Sequence, residues 1–140
     1  MKPLIPLLAA LSLALAACAT TRPTDTERLA LYVAHAGQPV KQIRYLNPMG
    51  WERIDGAHVV LNMRPKENWL LTLPTNCLNW GGGSPFLTID SQNGLLITKF
   101  DSIRVAGSPV SCPISEMRPV DMQAVRAAEK QMRDQASSGT

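Results

Sequence analysis

From Val40 to Arg118 the apolar residues come in short runs spaced by two, and glycine, proline, asparagine or aspartate cuts off most of them. This alternation is the tightest constraint on the fold, because a period of two lays every second side chain on one face of a strand. "VKQIRYL" is followed by "NPMG", a turn by its Asn, Pro and Gly. "WERI", "HVVLNMR" and "NWLLTLP" come next, separated by "DGA" and "RPKE". Val59, Leu61 and Met63 share one face of their strand, as do Trp69, Leu71 and Leu73 of theirs. "FLTID", the turn "SQNG", "LLITKFDSIRV" and a last strand within "SCPISEMR" continue the pattern. About six or seven short antiparallel strands, with turns every 8–12 residues, predict a small sandwich or barrel.

A helix is expected on either side of these strands. Thr24-Asp25-Thr26-Glu27 has the S/T-x-x-E form of a capping box. Behind it Leu29, Tyr32, Val33 and Ala36 fall on one helical face, and Gly37 is the expected stop. At the other end Asp121 is the expected N-cap of a helix whose stripe is Met122, Val125, Ala128 and Met132. That stripe reads as packing on the sheet, and Glu129 and Arg133, four apart, favour the helix by a few tenths of a kcal/mol. The fold class is therefore α+β, mainly β. One globular domain is expected over 25–135, and "ASSGT", 136–140, reads as a loose, disordered tail.

The first residues read differently. Lys2 supplies a positive charge, and Leu4 to Ala17 are apolar except for Pro6 and Ser12, the form of a secretory signal. The run is too short to span a bilayer, which takes about 20 apolar residues for ~30 Å of hydrocarbon. It ends in Leu15-Ala16-Ala17-Cys18, which resembles the lipobox of bacterial lipoproteins, L-(A/S)-(A/G)-C. The resemblance implies a diacylglycerol thioether on Cys18, cleavage just before it and an acylated new amine. It gives a signal peptide over 1–17 and a lipidated cysteine with its tether over 18–24. An ordinary signal cut at Ala-x-Ala is the alternative.

Each buried methylene contributes about 0.8 kcal/mol, so two or more chains hold stably where one does not. The six tether residues 19–24 span at most ~21 Å. Ala19, rather than Asp, after the cysteine resembles the sorting pattern for the outer membrane. The expected location is thus the bacterial cell envelope, lipid-anchored, at the outer membrane facing the periplasm.

With Cys18 assigned to lipid, Cys77 and Cys112 remain as an even pair, which in a secreted context reads as a disulfide. A metal site using His35 and His58 as further ligands lacks any C-x-x-C or H-x-x-x-H spacing. Neither a metal nor a cofactor is expected. The chain's 14 Lys and Arg are interspersed with its 11 Asp and Glu. Nucleic-acid binding wants a clustered basic face, so the sequence argues against a nucleic-acid partner and against phosphate binding.

"CPISEMRPVDMQAVRAAE", 112–129, resembles the C-terminal signature of an uncharacterised family of small proteobacterial lipoproteins, roughly C-x-I-x-E-(I/M)-R-P-(L/V)-D followed by an alanine-rich basic helix. "ERLALYVAHAGQPV", 27–40, resembles its opening helix and "RPKENWLLTL" its middle hairpin. The likeness implies architecture, disulfide and lipid anchor, and it transfers no catalytic residue.

The search for chemistry finds little. His35 falls near the end of the first helix, where a cationic ring gains ~0.3–1 kcal/mol from the helix dipole. His58 begins a strand on the face opposite Val59. Ser84 in "GGGSPF" does not fit G-x-S-x-G. Glu116, Arg118 and Asp121 form the densest charged group, read as a salt-bridge network tying the last strand to the closing helix. Trp51 and Trp69 are expected in the core or on a sheet face. "NCLNWGGGSPF" is the candidate binding loop, through Trp80, Gly81, Gly82 and Gly83, because tryptophan is enriched at interaction hot spots.

The leading expectation is a non-enzymatic binding or structural module, held at the membrane by Cys18, with an envelope protein, glycan or lipid as partner. The alternatives are an inhibitor of a cell-wall lytic enzyme, by analogy at fold level only, and a hydrolase. The latter needs His35 or His58 in a cleft beside Ser84, Asp90 or Glu116.

Overall fold

The computed structural model describes residues 22–81 and 86–139. The first helix, α1 (Asp25–Ala34), opens on the expected capping box. The Thr24 hydroxyl accepts from the Glu27 N–H, and the Glu27 carboxylate accepts from the Thr24 N–H at 2.7 Å. The backbone bond to Thr24, with the hydroxyl bond beside it, holds the Glu27 carboxyl below its ordinary range. The helix stops at His35, whose N–H reaches the Tyr32 carbonyl, two residues ahead of Gly37. Gly37 serves another purpose. Its N–H donates to the Pro119 carbonyl at 2.8 Å, and a Cβ there would lie 2.9 Å from Pro119 Cγ. The apolar face of α1 is narrower than its periodicity implies: Tyr32 is buried, whereas Val33 is 46% exposed.

Nine strands form among the described residues: β1 (Gln42–Arg44), β2 (Gly50–Arg53), β3 (His58–Arg64), β4 (Glu67–Thr72), β5 (Leu87–Asp90), β6 (Leu95–Ile97), β7 (Ser102–Val105), β8 (Ser111–Pro113) and β9 (Glu116–Pro119). They make three antiparallel sheets, ordered β2-β3-β4-β9, β5-β7-β8 and β1-β6, and no barrel closes.

Two of the expected strands each divide, which is why the structure has more strands than the periodicity suggests. "LLITKFDSIRV" breaks because the buried Asp101 turns its carboxylate back to accept from the Ile97 N–H at 2.6 Å, with Lys99 in the left-handed region at φ 68°. "SCPISEMR" breaks at Ile114-Ser115, where the chain passes from one sheet to another. The Ser115 N–H donates to the Thr72 carbonyl at 2.9 Å, and Ile114 is fully buried at the crossing. Asn93 and Gly94 form the tight turn expected in "SQNG", both at positive φ. The strands on either side of it nevertheless belong to different sheets.

The central strands β3 and β4 are apolar on both faces. Val59, Leu61, Met63, Leu71 and Leu73 pack with Ile43, Leu96, Ile103, Val105, Ile114 and Met117, between the four-stranded sheet and the two smaller ones. Val60 and Leu70 point the other way, into a second cluster with Tyr32, Ile54, Val120, Met122 and Val125 beneath the helices. The layers therefore run helices, four-stranded sheet, smaller sheets. Each fully buried Leu or Val in them contributes about 1.5–3 kcal/mol.

The closing helix, α2 (Met122–Ser138), starts at the expected cap: the Asp121 carboxylate accepts from the Gln123 and Ala124 N–H groups, both at 3.0 Å. Only its first turns cover the sheet. Met122 and Val125 are buried and Met132 is exposed, and the helix runs three residues past 135 into "ASSGT". Between β4 and β5 a short 3-10 helix (Cys77–Gly81) carries Cys77, which forms the expected disulfide with Cys112 of β8, Cα–Cα 5.9 Å.

Candidate functional site

Separate segments of the chain meet beside the first turn of α2 and enclose a groove of about 1010 Å³. Backbone hydrogen bonds fasten them together: Asp121 N–H to the His35 carbonyl at 3.0 Å, Val120 N–H to Asn68 at 2.9 Å and Met49 N–H to Asn62 at 2.7 Å. His35 and Gly37 line one side, Met49 another, and Pro119 to Gln123 the floor. The β3–β4 turn supplies Arg64, Pro65 and Lys66, and α2 supplies Arg126, one turn beyond the buried Met122.

The charge around this groove is unequal. Arg64, Lys66 and Arg126 are cations, and Asp121 is the one carboxylate in the described lining. Both Asp121 hydrogen bonds go to one of its oxygens, from the amides that it caps. Arg64 Nε lies 3.6 Å from Glu67 in an exposed pair, which is worth at most about 1 kcal/mol. Neither Lys66 nor Arg126 has an ion pair among the described residues. Lys66 also sits at φ 70°, directly after the turn proline, where glycine is the residue without strain. The described lining holds no serine, threonine or cysteine. The arrangement can hold an anion.

The residues singled out by sequence distribute as follows. Cys18 lies outside the described residues, as do Gly82, Gly83 and Ser84. Trp80 and Gly81 end the 3-10 helix, which is held to the β2–β3 turn by the Leu78 N–H donating to the Gly56 carbonyl at 2.9 Å. The Arg53 guanidinium also reaches the Asn79 side chain there. That end of β3 is about 13 Å, four strand residues, from Asn62 at the near edge of the groove. The candidate loop and the groove are thus separate places.

The two histidines are separated likewise. His35 lines the groove, whereas His58 Nδ1 lies 2.8 and 2.9 Å from the two oxygens of Asp55. Asp55 also accepts from the Ala57 N–H at 2.7 Å, so the pair closes the β2–β3 turn. Asp90 lies 3.7 Å from Arg104, and Glu116 lies 2.6 Å from Arg118. Glu116 is two strands across from His58, about 10 Å, because Thr72 pairs with both. The expected network of Glu116, Arg118 and Asp121 forms only in part: the first two pair, and the bond to Glu116 raises the Arg118 pKa, while Asp121 turns away to cap α2. Trp51 and Trp69 pack against the main core as expected, although the buried Trp69 indole N–H has no acceptor among the described residues.

Among the described residues no helix is long and apolar enough to cross a membrane. A family model whose description reads "Family of unknown function (DUF6491)" matches residues 1–136. Neither the curated proteins nor the solved structures contain a match.

Proposed function

We propose that this chain, which belongs to DUF6491, a family of unknown function, is a non-enzymatic binding module moored to the bacterial envelope through a lipidated Cys18. The observation that carries the binding half is the groove: three cationic side chains around one opening, with the facing carboxylate engaged by the amides of Gln123 and Ala124. The mooring rests on the lipobox-like Leu15-Ala16-Ala17-Cys18.

Geometry limits the reach of such a module. A tether of at most ~21 Å leads into a ten-residue helix about 15 Å long, with His35 at its far end. The groove then works within roughly 40 Å of the acyl chains, close enough to meet envelope components at the bilayer surface. Mass spectrometry of the purified natural protein tests the mooring. The expected product starts at Cys18 and carries acyl chains, and release by osmotic shock without detergent would refute it. Pull-down from solubilised membranes tests the binding: the yield of partner should fall when Lys66 and Arg126 are both changed to Gln.

A further inference from the structure

We infer that the groove between the β3–β4 turn and the start of α2 is a binding site for a phosphomonoester carried on a small polyol, such as a glycerol or sugar phosphate. This deepens the binding-module reading and rests on it. The charge comes from folding. Arg64 and Lys66 lie on one turn, Arg126 lies on a helix some sixty residues later, and His35 closes the same opening.

A dianionic phosphate matches such a cluster better than a single carboxylate does. It carries more charge and three oxygens, so several cations can each donate to a different one. Arg126 has the planar fork suited to phosphate, and Lys66 acts as a compact point charge. Asp121, the one carboxylate in the described lining, turns one oxygen to the two amides that it caps, and three cations outnumber its single negative charge. Asn62, Asn68 and Gln123 in the same lining carry amide groups that can both donate to and accept from hydroxyls, as a polyol requires.

Lys66 is the telling residue. Its left-handed backbone has a steric cost that glycine would remove, so Lys66→Gly takes away the ammonium without straining the turn. That separation gives the test. The full chain in a non-ionic detergent is titrated with glycerol 3-phosphate and glucose 1-phosphate, with glycerol as the uncharged control. In a parallel arm it meets mixed micelles containing phosphatidic acid or phosphatidylcholine.

The expected result is saturable binding of a phosphomonoester in at least one arm, weakening with salt. Affinity should fall about tenfold or more in Lys66→Gly and in Arg126→Gln. Lys66→Gly should melt at or above the temperature of the parent protein, which separates lost binding from lost fold. Binding of the soluble phosphates supports a diffusible ligand, and binding only of phosphatidic acid micelles supports a lipid headgroup. Absence of binding in both arms, or unchanged affinity in both variants, overturns the inference. A chain that binds but carries no acyl chain on Cys18 refutes the mooring alone, and an acylated chain that fails to bind refutes the groove alone.

Discussion

Tyr32 and Glu52 meet across the seam between α1 and the four-stranded sheet, where the buried tyrosine hydroxyl donates to Glu52 Oε1 at 3.2 Å. Arg28 Nη2 reaches the same oxygen at 2.8 Å, and Arg28 Nη1 donates to the Ile54 carbonyl at 3.2 Å. Burial, with the Glu52 charge behind it, pushes the Tyr32 pKa from 10.0 up to about 12. The folded state therefore keeps its proton where the unfolded chain loses it. Stability should be unaffected by this group below pH 10 and fall between pH 10 and about 12. The loss should amount to about 2–3 kcal/mol at the upper end. Denaturant titrations across that range check it, and Tyr32→Phe should flatten this part of the profile.

Cys77 and Cys112 close a loop with a sequence separation of 35 and join the segment after β4 to the three-stranded sheet. The chain-entropy relation gives about 3.8 kcal/mol for such a loop, within the usual span of 2–4 kcal/mol. The double variant Cys77→Ala/Cys112→Ala should lose roughly that much, read as a lower urea midpoint. Reducing agent should lower the parent protein's midpoint to match and leave the variant unmoved.

Gly37 has no room for a side chain, since a Cβ would sit 2.9 Å from Pro119 Cγ while its N–H holds the Pro119 carbonyl. Gly37→Ala should cost about 1–3 kcal/mol as the contact is forced apart. Gly50→Ala, with nothing within 4 Å, is the control and should leave the melting temperature nearly unchanged.

Asp101 is 5% exposed, and its carboxylate accepts from the Ile97 N–H at the break between β6 and β7. Asp101→Ala removes the acceptor and should cost about 1–3 kcal/mol. Asp101→Asn keeps an oxygen in place and should cost less. Thermal melts of the two variants side by side read the order, and equal losses would point to packing instead of the hydrogen bond.

Much of this architecture is legible in the chain because local signals decide it. Thr24 with Glu27, and Asp121, mark both helix starts correctly because a cap needs only its own turn. Val59, Leu61 and Met63 mark one face of β3 because side chains two apart enter the same core cluster, while Val60 between them enters the other. What is not legible depends on contacts between distant segments. The division at Asp101 requires a buried carboxylate to bend the backbone, and the crossing at Ile114-Ser115 requires a sheet already waiting at Thr72.

The groove is hidden for the same reason. A sequence scan for basic stripes finds none, because Lys66 and Arg126 come to line one groove only after β3, β4 and β9 pair and α2 docks. The one local trace is a lysine following a turn proline, where the backbone asks for glycine. Gly37 is read as a helix stop from its residue type, whereas its actual purpose, clearance for Pro119, lies 82 positions away.

β9, the last strand in the chain, is the one that flanks β4 in the largest sheet, and the helix that roofs Val60 and Leu70 comes later still. A nascent polypeptide that has emerged only as far as β8 has α1, β2, β3 and β4 in hand but neither their final neighbour nor α2. Completion of the largest sheet therefore waits for its final strand, while the β2-β3-β4 ladder and the two smaller sheets can pair without it.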